Sequence, residues 1–388
     1  MPLKFRVLSV ALAIVLLTVF LQPAPGQQGP AAKDLQSVLD KARDFLKTRQ
    51  GDDGSFSPKV AGPGISALVA AGLIKTGTPP QDPLVAKALA YLEKQVKEDG
   101  GIYSKFLANY TTSVAIMAFQ EANKNGKYAA IIKNAGAFLK KIQHDDESNP
   151  TYGGFGYDGK KRPDLSNTGF SVEALLAAGL TKDDPAVQKA LKFISRCQNL
   201  AGELNDQPFA KKASKDDEGG FTYHPFDLDK NQYKTAEGGL RSLGGMTYSG
   251  LKSFLYAGVS KADPRVKAAI GWIRRHYTLA ENPGMGKAGL FYYYHTFAKA
   301  MDALGENPFV DAAGKKHDWK QELFDTLKSQ QAVDGSWRNQ GEKTFAEDNP
   351  DLATAFAILV QRLSLRPIRV RRVAPPPPPR RRAVTKVQ

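Results

Sequence analysis

The stretch Gln330-Gln331-Ala332-Val333-Asp334-Gly335-Ser336-Trp337 decides the fold, because altered copies of it recur along the chain. The pattern predicts that a helix ends at the glutamines, that Asp334-Gly335 forms a tight turn and that an aromatic side chain closes it. The marker glycines of successive copies are 46–69 residues apart, a period typical of stacked supersecondary units. The other copies are Asp53-Gly54-Ser55-Phe56, Asp99-Gly100-Gly101-Ile102-Tyr103, Tyr152-Gly153-Gly154-Phe155-Gly156-Tyr157, Glu218-Gly219-Gly220-Phe221-Thr222-Tyr223 and, more weakly, Lys287-Ala288-Gly289-Leu290-Phe291-Tyr292.

Each turn lies between two helical patterns of different character. The preceding segment is amphipathic, with apolar residues three and four apart, and suits an outer layer. The following segment is rich in small apolar residues and suits an inner layer. Six such pairs predict an all-α fold, a closed α/α toroid of six outer and six inner helices. The inner helices are expected near residues 64–73, 110–121, 166–179, 246–257, 289–303 and 351–363.

The first 26 residues have the features of a secretory signal peptide. Lys4 and Arg6 precede an uncharged apolar run over residues 7–21, and Ala24-Pro25-Gly26 offers small residues at a cleavage point. The apolar run is shorter than the roughly 18–20 residues that span a bilayer, although an uncleaved anchor is the alternative. We therefore expect an exported protein, periplasmic or extracellular, whose toroid domain covers residues 27–365.

The C-terminal segment, residues 366–388, is basic and rich in proline. It contains eight Lys or Arg, no acid and an unbroken proline run over residues 375–379, which predicts a disordered arm. Outside this arm and the N-terminal segment, the net charge is only about +5 of the total +15. The charge therefore does not indicate nucleic acid, and an anionic envelope surface is the partner expected for the arm. The single cysteine, Cys197, excludes an internal disulfide.

The repeats of Gln, Asp-Gly-Ser-Trp or Gly-Gly-Phe, each followed by a small-residue helix, resemble the terpenoid cyclase and protein prenyltransferase superfamily. The resemblance is strongest to exported bacterial proteins with prenyltransferase and squalene oxidase repeats, and it covers residues 34–365. It implies an α/α toroid with an apolar, aromatic central cavity. It implies less about activity, because fold does not fix function.

Squalene–hopene-type cyclases protonate an alkene with an acid from an Asp-x-Asp-Asp-Thr-Ala motif, and this chain lacks that string. Its nearest approach is Asp348-Asn349-Pro350-Asp351-Leu352-Ala353-Thr354-Ala355, so Asp348 and Asp351 are the candidate catalytic acids. The alternative is that Asp348 lies in a loop and that Asp351 caps the inner helix, as Asp164 is expected to do for another.

The family's prenyltransferases hold a catalytic zinc with Asp, Cys and His. The segment Tyr293-Tyr294-His295-Thr296 resembles the part that carries the His, but the family's Asp and Cys fall on Gly245 and Thr247. Since catalytic zinc normally has three protein ligands, we expect no metal site and no cofactor. His295 is instead expected to face the cavity and to hydrogen-bond a Tyr hydroxyl or a backbone carbonyl.

Aromatic side chains on or beside the inner helices are candidates for a ligand cavity. Such faces stabilise carbocations in terpenoid cyclases, whereas ordinary packing could instead fill the barrel axis with them. Together with His295, the candidates are Phe170, Tyr248, Tyr292, Tyr294, Trp337 and Phe356.

Three function classes follow from these observations. The first is a non-catalytic or divergent binder of an apolar ligand, isoprenoid or lipid, in the cavity. The second is an isoprenoid cyclase that uses unaligned Asp acids. The third is an envelope scaffold that acts through rim loops and the basic arm. The absent motifs favour the first and third, and an open aromatic cavity with a buried carboxylate would distinguish the second.

Overall fold

The computed structural model describes residues 29–365, so the expected signal peptide and basic arm lie outside the described residues. Among the helices of this range, none combines the length and hydrophobicity that a bilayer crossing requires. The helices are α1 (Ala32–Arg49), α2 (Pro58–Ala61), α3 (Gly64–Lys75), α4 (Pro83–Glu93), α5 (Ala108–Ala122), α6 (Ala129–Ile142), α7 (Leu165–Ala177), α8 (Pro185–Arg196), α9 (Gly244–Tyr256), α10 (Pro264–Arg275), α11 (Leu290–Leu304), α12 (Trp319–Gln330) and α13 (Pro350–Leu365), with a 3-10 helix at Pro208–Lys212.

The inner layer is a closed ring of six helices. Helix α3 contacts α5, and the contacts continue through α7, α9 and α11 to α13, which packs back against α3. Their bounds agree with the six inner helices predicted from the repeats, so the all-α prediction is confirmed. Within residues 29–365 the sheet structure consists of a two-residue antiparallel pair, β1 (Phe309–Val310) with β2 (Lys316–His317), and isolated bridges.

The remaining long helices, α1, α4, α6, α8, α10 and α12, form the outer layer. Every residue of α3 from Gly64 to Ile74 is buried, whereas α8 buries one face and carries charged residues on the other. Small side chains in the inner helices let their backbones approach closely. At Gly72, for example, an added Cβ would lie 2.7 Å from the Ile358 side chain of α13. The two helix classes thus follow from the two sequence patterns.

Five of the repeated turns hold a glycine against the next outer helix. These glycines have φ between 82° and 91°, and an added Cβ would lie 1.9–2.6 Å from a backbone carbonyl oxygen of that helix. In the Gly-Gly copies it is the first glycine that takes this position. The fifth copy differs, because its Gly289 is instead the N-cap of α11. The five glycines are Gly54, Gly100, Gly153, Gly219 and Gly335.

The repeated glutamine fastens each turn to the neighbouring unit. Gln331 Nε2 donates to the Gly335 carbonyl of its own turn and to the Val38 carbonyl of α1, both at 3.0 Å. Because Val38 belongs to the first unit and Gln331 to the sixth, this pair of bonds closes the ring. Gln50, Gln143 and Gln198 each make the equivalent pair with their own turn and the next outer helix.

Replacing the turn glycine should cost more than replacing an unpacked glycine of similar φ. We expect Gly335→Ala to destabilise the protein by about 2 kcal/mol more than Gly341→Ala, because its Cβ would lie 2.3 Å from the Lys41 carbonyl oxygen. Gly341 has φ 81° with nothing within 4 Å of an added Cβ, so it controls for backbone strain alone. Chemical denaturation measures both variants, and equal losses would contradict the packing account.

Candidate functional site

A cavity of about 240 Å³ opens at the N-terminal ends of the inner helices. Its wall comes from α2, five inner helices and the loops beside them, and eight aromatic side chains dominate it. The lining residues Val60, Tyr157 and Phe345 are 37–41% exposed, so they mark the mouth of the cavity. Tyr223 ends the fourth turn copy and Tyr233 lies in the segment after it, both between α8 and α9. The aromatic lining residues are Tyr110, Tyr157, Phe170, Tyr223, Tyr233, Tyr292, Phe345 and Phe356.

The imidazole of His295 lies beside two of these rings. Its centroid is 6.2 Å from that of Phe170 and 5.3 Å from that of Phe356, and the residue is 1% exposed. Neither ring nitrogen has a hydrogen-bond partner among the described residues, so the expected bond to a Tyr hydroxyl or backbone carbonyl is wrong. Burial, assisted by the charge of Lys299, holds the pKa of His295 well below its usual range, and the ring is therefore neutral.

An ion cluster lies on the same inner helices, towards their C-terminal ends. Glu173 of α7 pairs with Lys299 of α11 at 2.5 Å and with Lys252 of α9 at 3.1 Å. The Lys252 ammonium also lies 5.7 Å from the Phe170 ring centroid. Burial opposes ionisation of Glu173, but the two lysines hold its pKa below the usual range. Burial lowers the pKa of Lys299 to about 8, against the opposing pull of Glu173.

Glu347 is a fully buried carboxylate in the cavity wall. It accepts hydrogen bonds from Tyr292 N at 2.8 Å, Phe291 N at 3.1 Å and Asn339 Nδ2 at 2.9 Å. It thereby satisfies backbone donors at the start of α11, where the N-cap Gly289 has no side chain to offer. Burial raises its pKa while these bonds oppose the rise. Its donors therefore stabilise the carboxylate form.

Asp164 is a second buried carboxylate, behind the cavity wall and 3% exposed. It caps α7 by accepting Asn167 N at 2.8 Å and Asn167 Nδ2 at 2.7 Å, as the sequence predicted. Tyr223 approaches the same carboxylate, and its hydroxyl oxygen lies 3.3 Å from that of Tyr157 at the mouth. Burial raises the pKa of Asp164 to about 6, although the bonds from Asn167 oppose this.

Part of the sequence matches a known protein family. Residues 60–217 match the squalene-hopene cyclase C-terminal domain family. This match supports the resemblance to the squalene-hopene cyclase-like superfamily that the repeats predicted. The matched segment includes α7 and its cavity residues. A search of curated proteins finds no match to this sequence.

Solved structures share the fold at low sequence identity. A protein from Actinoplanes aligns with a TM-score of 0.51 at 16% identity, covering 85% of this chain and 99% of that one. A possible member of the GH105 family from Salmonella enterica aligns with a TM-score of 0.53 at 12% identity, covering 88% and 95%. The type II terpene cyclase MstE from Scytonema gives a TM-score of only 0.33 at 14% identity, covering 86% of this chain and 97% of that one. The first two likenesses show a shared fold and nothing about activity.

Some of the aromatic residues predicted from the sequence as cavity candidates line the cavity, and the others lie elsewhere. Phe170, Tyr292 and Phe356 lie in the cavity wall. Trp337 instead closes its turn, where its Nε1 donates to the Leu327 carbonyl at 2.7 Å. Tyr248 packs against Tyr293 and Phe297 between α9 and α11, and the Tyr294 hydroxyl donates to the Leu279 carbonyl at 2.8 Å. Residues two apart on a helix point in different directions, so Tyr292 lines the cavity and Tyr294 does not.

The two candidate cyclase acids do not line the described cavity. Asp351, which is 1% exposed, accepts hydrogen bonds from Ser57 Oγ at 2.6 Å and Arg49 Nε at 2.9 Å, between α13 and α1. Asp348 lies in the loop before α13. The residue that caps α13 is Asn349, whose Oδ1 accepts the backbone N–H of Asp351, so the idea that Asp351 is the cap is corrected.

The Asp and Cys zinc ligands of the prenyltransferases have no counterparts at the aligned positions, Gly245 and Thr247. An added Cβ on Gly245 would lie 3.2 Å from the Tyr292 ring, so that position is occupied by packing. The Thr247 hydroxyl accepts Phe221 N at 3.0 Å and donates to the Leu243 carbonyl at 2.9 Å. Among the described residues, no group of three or more His, Cys, Asp or Glu is arranged to hold a metal ion.

Sequence reasoning missed several residues of the site. Glu347 lies in a polar loop, and nothing local marks it as buried. Lys252 and Lys299 did carry a signal, because each places a charge within an inner helix that has few other charged residues. Tyr157 and Tyr223 are the last residues of two turn repeats. The repeat pattern explained them as part of a turn, so the sequence did not predict that they line the cavity.

Proposed function

We propose that the protein binds an apolar ligand of the isoprenoid or lipid class in the aromatic cavity, without catalysing its cyclisation. The observation that carries this proposal is an open cavity walled by eight aromatic side chains, in a chain whose residues 60–217 match the squalene-hopene cyclase C-terminal domain. Pockets for drug-sized ligands typically measure roughly 300–1,000 Å³. A cavity of about 240 Å³ therefore suits a short ligand or one end of a longer one.

The chemistry of the carboxylates supports binding over cyclisation. Proton-initiated cyclisation needs a strong acid that gives its proton to an alkene. Burial raises the pKa of Glu347, so it is a weaker acid than an ordinary Glu, and both of its oxygens already accept N–H bonds. Asp164, with a pKa of about 6, is a weaker acid than an ordinary Asp. Neither group has the character that alkene protonation requires.

The proposal includes a cellular location outside the cytoplasm, which the sequence supports. Residues 1–26 support export, and the basic arm of residues 366–388 supports contact with an anionic envelope surface. N-terminal sequencing of envelope material tests the cleavage, since an intact Met1 would contradict it.

Filling the cavity should abolish binding of an apolar probe. Leu352 lies in the wall and is 6% exposed, so Leu352→Trp should weaken binding of the uncharged fluorophore N-phenyl-1-naphthylamine at least tenfold. Val333→Trp introduces the same side chain on an exposed turn and should leave binding unchanged. Fluorescence titration of the three proteins, with thermal unfolding as a check on folding, measures this. Equal binding by both folded variants, or none by the wild type, would contradict the proposal.

A further inference from the structure

Two side chains of the cavity wall each have a buried polar atom that lacks a hydrogen-bond partner among the described residues. These atoms are Oδ1 of Asn167, a residue 2% exposed, and the hydroxyl of Tyr292; both residues line the wall. Asn167 Nδ2 donates to the Asp164 carboxylate at 2.7 Å, which fixes Oδ1 as the free acceptor of the amide. Ser166 and Ser249 lie near the Tyr292 hydroxyl without reaching hydrogen-bond geometry. Buried polar atoms of this kind are nearly always bonded, so they call for a partner.

The charges around the cavity restrict the charge of the ligand group that could be this partner. Among residues 29–365, no Lys, Arg or His lines the cavity, while Glu347 is in the wall and Asp164 is directly behind Asn167. A diphosphate or carboxylate would lose its water here without meeting a cation. A cationic head would meet carboxylates whose oxygens already accept backbone and amide donors. An uncharged head fits both restrictions.

We propose that the ligand is an uncharged apolar molecule with one hydroxyl group, of the isoprenoid alcohol class, recognised by Asn167 and Tyr292. The ligand hydroxyl donates its proton to Asn167 Oδ1 and accepts a hydrogen bond from the Tyr292 hydroxyl. A carbonyl group could only accept, and would leave Asn167 Oδ1 unpaired; a hydrocarbon would satisfy neither atom. This inference rests on the proposed function, because it names the head group of a ligand whose tail occupies the aromatic cavity.

Four C15 compounds with the same tail separate the head-group classes on the wild-type protein. Farnesene has no polar head, farnesol has a hydroxyl, farnesylamine is cationic and farnesyl diphosphate is anionic. Displacement of N-phenyl-1-naphthylamine measures each affinity. We expect farnesol to bind about tenfold more tightly than farnesene, as one net hydrogen bond or two weaker ones would give. We expect farnesylamine and farnesyl diphosphate to bind more weakly than farnesol.

Matched tyrosine variants assign the hydroxyl contact. Tyr292→Phe should weaken farnesol binding roughly three- to tenfold and leave farnesene binding unchanged. Tyr248→Phe is the control, because the Tyr248 hydroxyl is also buried and unpartnered in the described range but lies outside the cavity wall. It should change neither affinity.

The outcomes distinguish this inference from the proposed function. Equal binding of farnesol and farnesene would overturn the hydroxyl site and leave the apolar cavity standing. Tightest binding of farnesyl diphosphate or farnesylamine would overturn the uncharged head group. Failure of all four compounds to displace the probe would overturn both proposals. The comparison of compounds needs only the wild-type protein, so it stands even if a variant fails to fold.

Discussion

Glu173→Gln should destabilise the protein by roughly 3–5 kcal/mol, because it leaves Lys252 and Lys299 buried without their shared anion. Those lysine side chains are 3% and 8% exposed, and Glu173 is their bridging partner. Urea denaturation near pH 7 measures the loss. The size of the effect comes from the uncompensated charges and not from the net value of the ion pairs.

The matched control for this variant is an exposed ion pair. Lys182 and Asp183 pair at 2.9 Å with side chains 60% and 74% exposed, so Asp183→Asn should cost less than about 1 kcal/mol. The Glu173 effect should also depend on pH. Since the folded pKa of Glu173 is lowered, its contribution is present above the ordinary value of 4.5 and is lost as pH falls below it. A loss equal to that of Asp183→Asn would contradict the buried-cluster account.

Asp164→Asn should show the opposite pH dependence. The folded pKa of Asp164 is raised from 3.8 to about 6, so the folded state binds this proton more tightly than the unfolded state. The wild type should therefore lose stability relative to Asp164→Asn as pH rises from about 4 to about 6, by roughly 3 kcal/mol in total. Above that range the difference should be constant.

Asparagine retains an oxygen that can accept Asn167 N, so the variant keeps the cap while it removes the charge. Denaturant unfolding of both proteins between pH 4 and 8 gives the difference at each pH, and other titrating groups largely cancel in it. A difference that does not vary with pH would show that the folded state does not raise the pKa of Asp164.

The repeats were sufficient to predict the ring of helices, because each copy contains its own turn, cap and apolar face. Asp82, Asp184 and Asp263 cap three of the six outer helices, each with proline next in the chain, as local rules predict. The same local rules could not show which glycine of a Gly-Gly pair meets the neighbouring helix. That choice depends on a contact between units.

The candidate site was less predictable, since it is assembled from residues distant in the chain. Phe170, Tyr292 and Phe356 converge only when the ring closes, and the Glu347 carboxylate is held by the first backbone N–H groups of α11, more than 50 residues away. Asp351 resembled a catalytic acid because a Thr-Ala pair follows it. Its hydrogen-bond partners Arg49 and Ser57, however, lie about 300 residues away in the sequence. Such long-range partners leave no local signal in the sequence.

Native mass spectrometry of the protein mixed with farnesol tests the central claim, an apolar ligand in the aromatic cavity, most directly. The account predicts one farnesol per chain on the wild type and on Val333→Trp, and none on folded Leu352→Trp. A wild type without bound farnesol, or equal occupancy of Leu352→Trp, would contradict it.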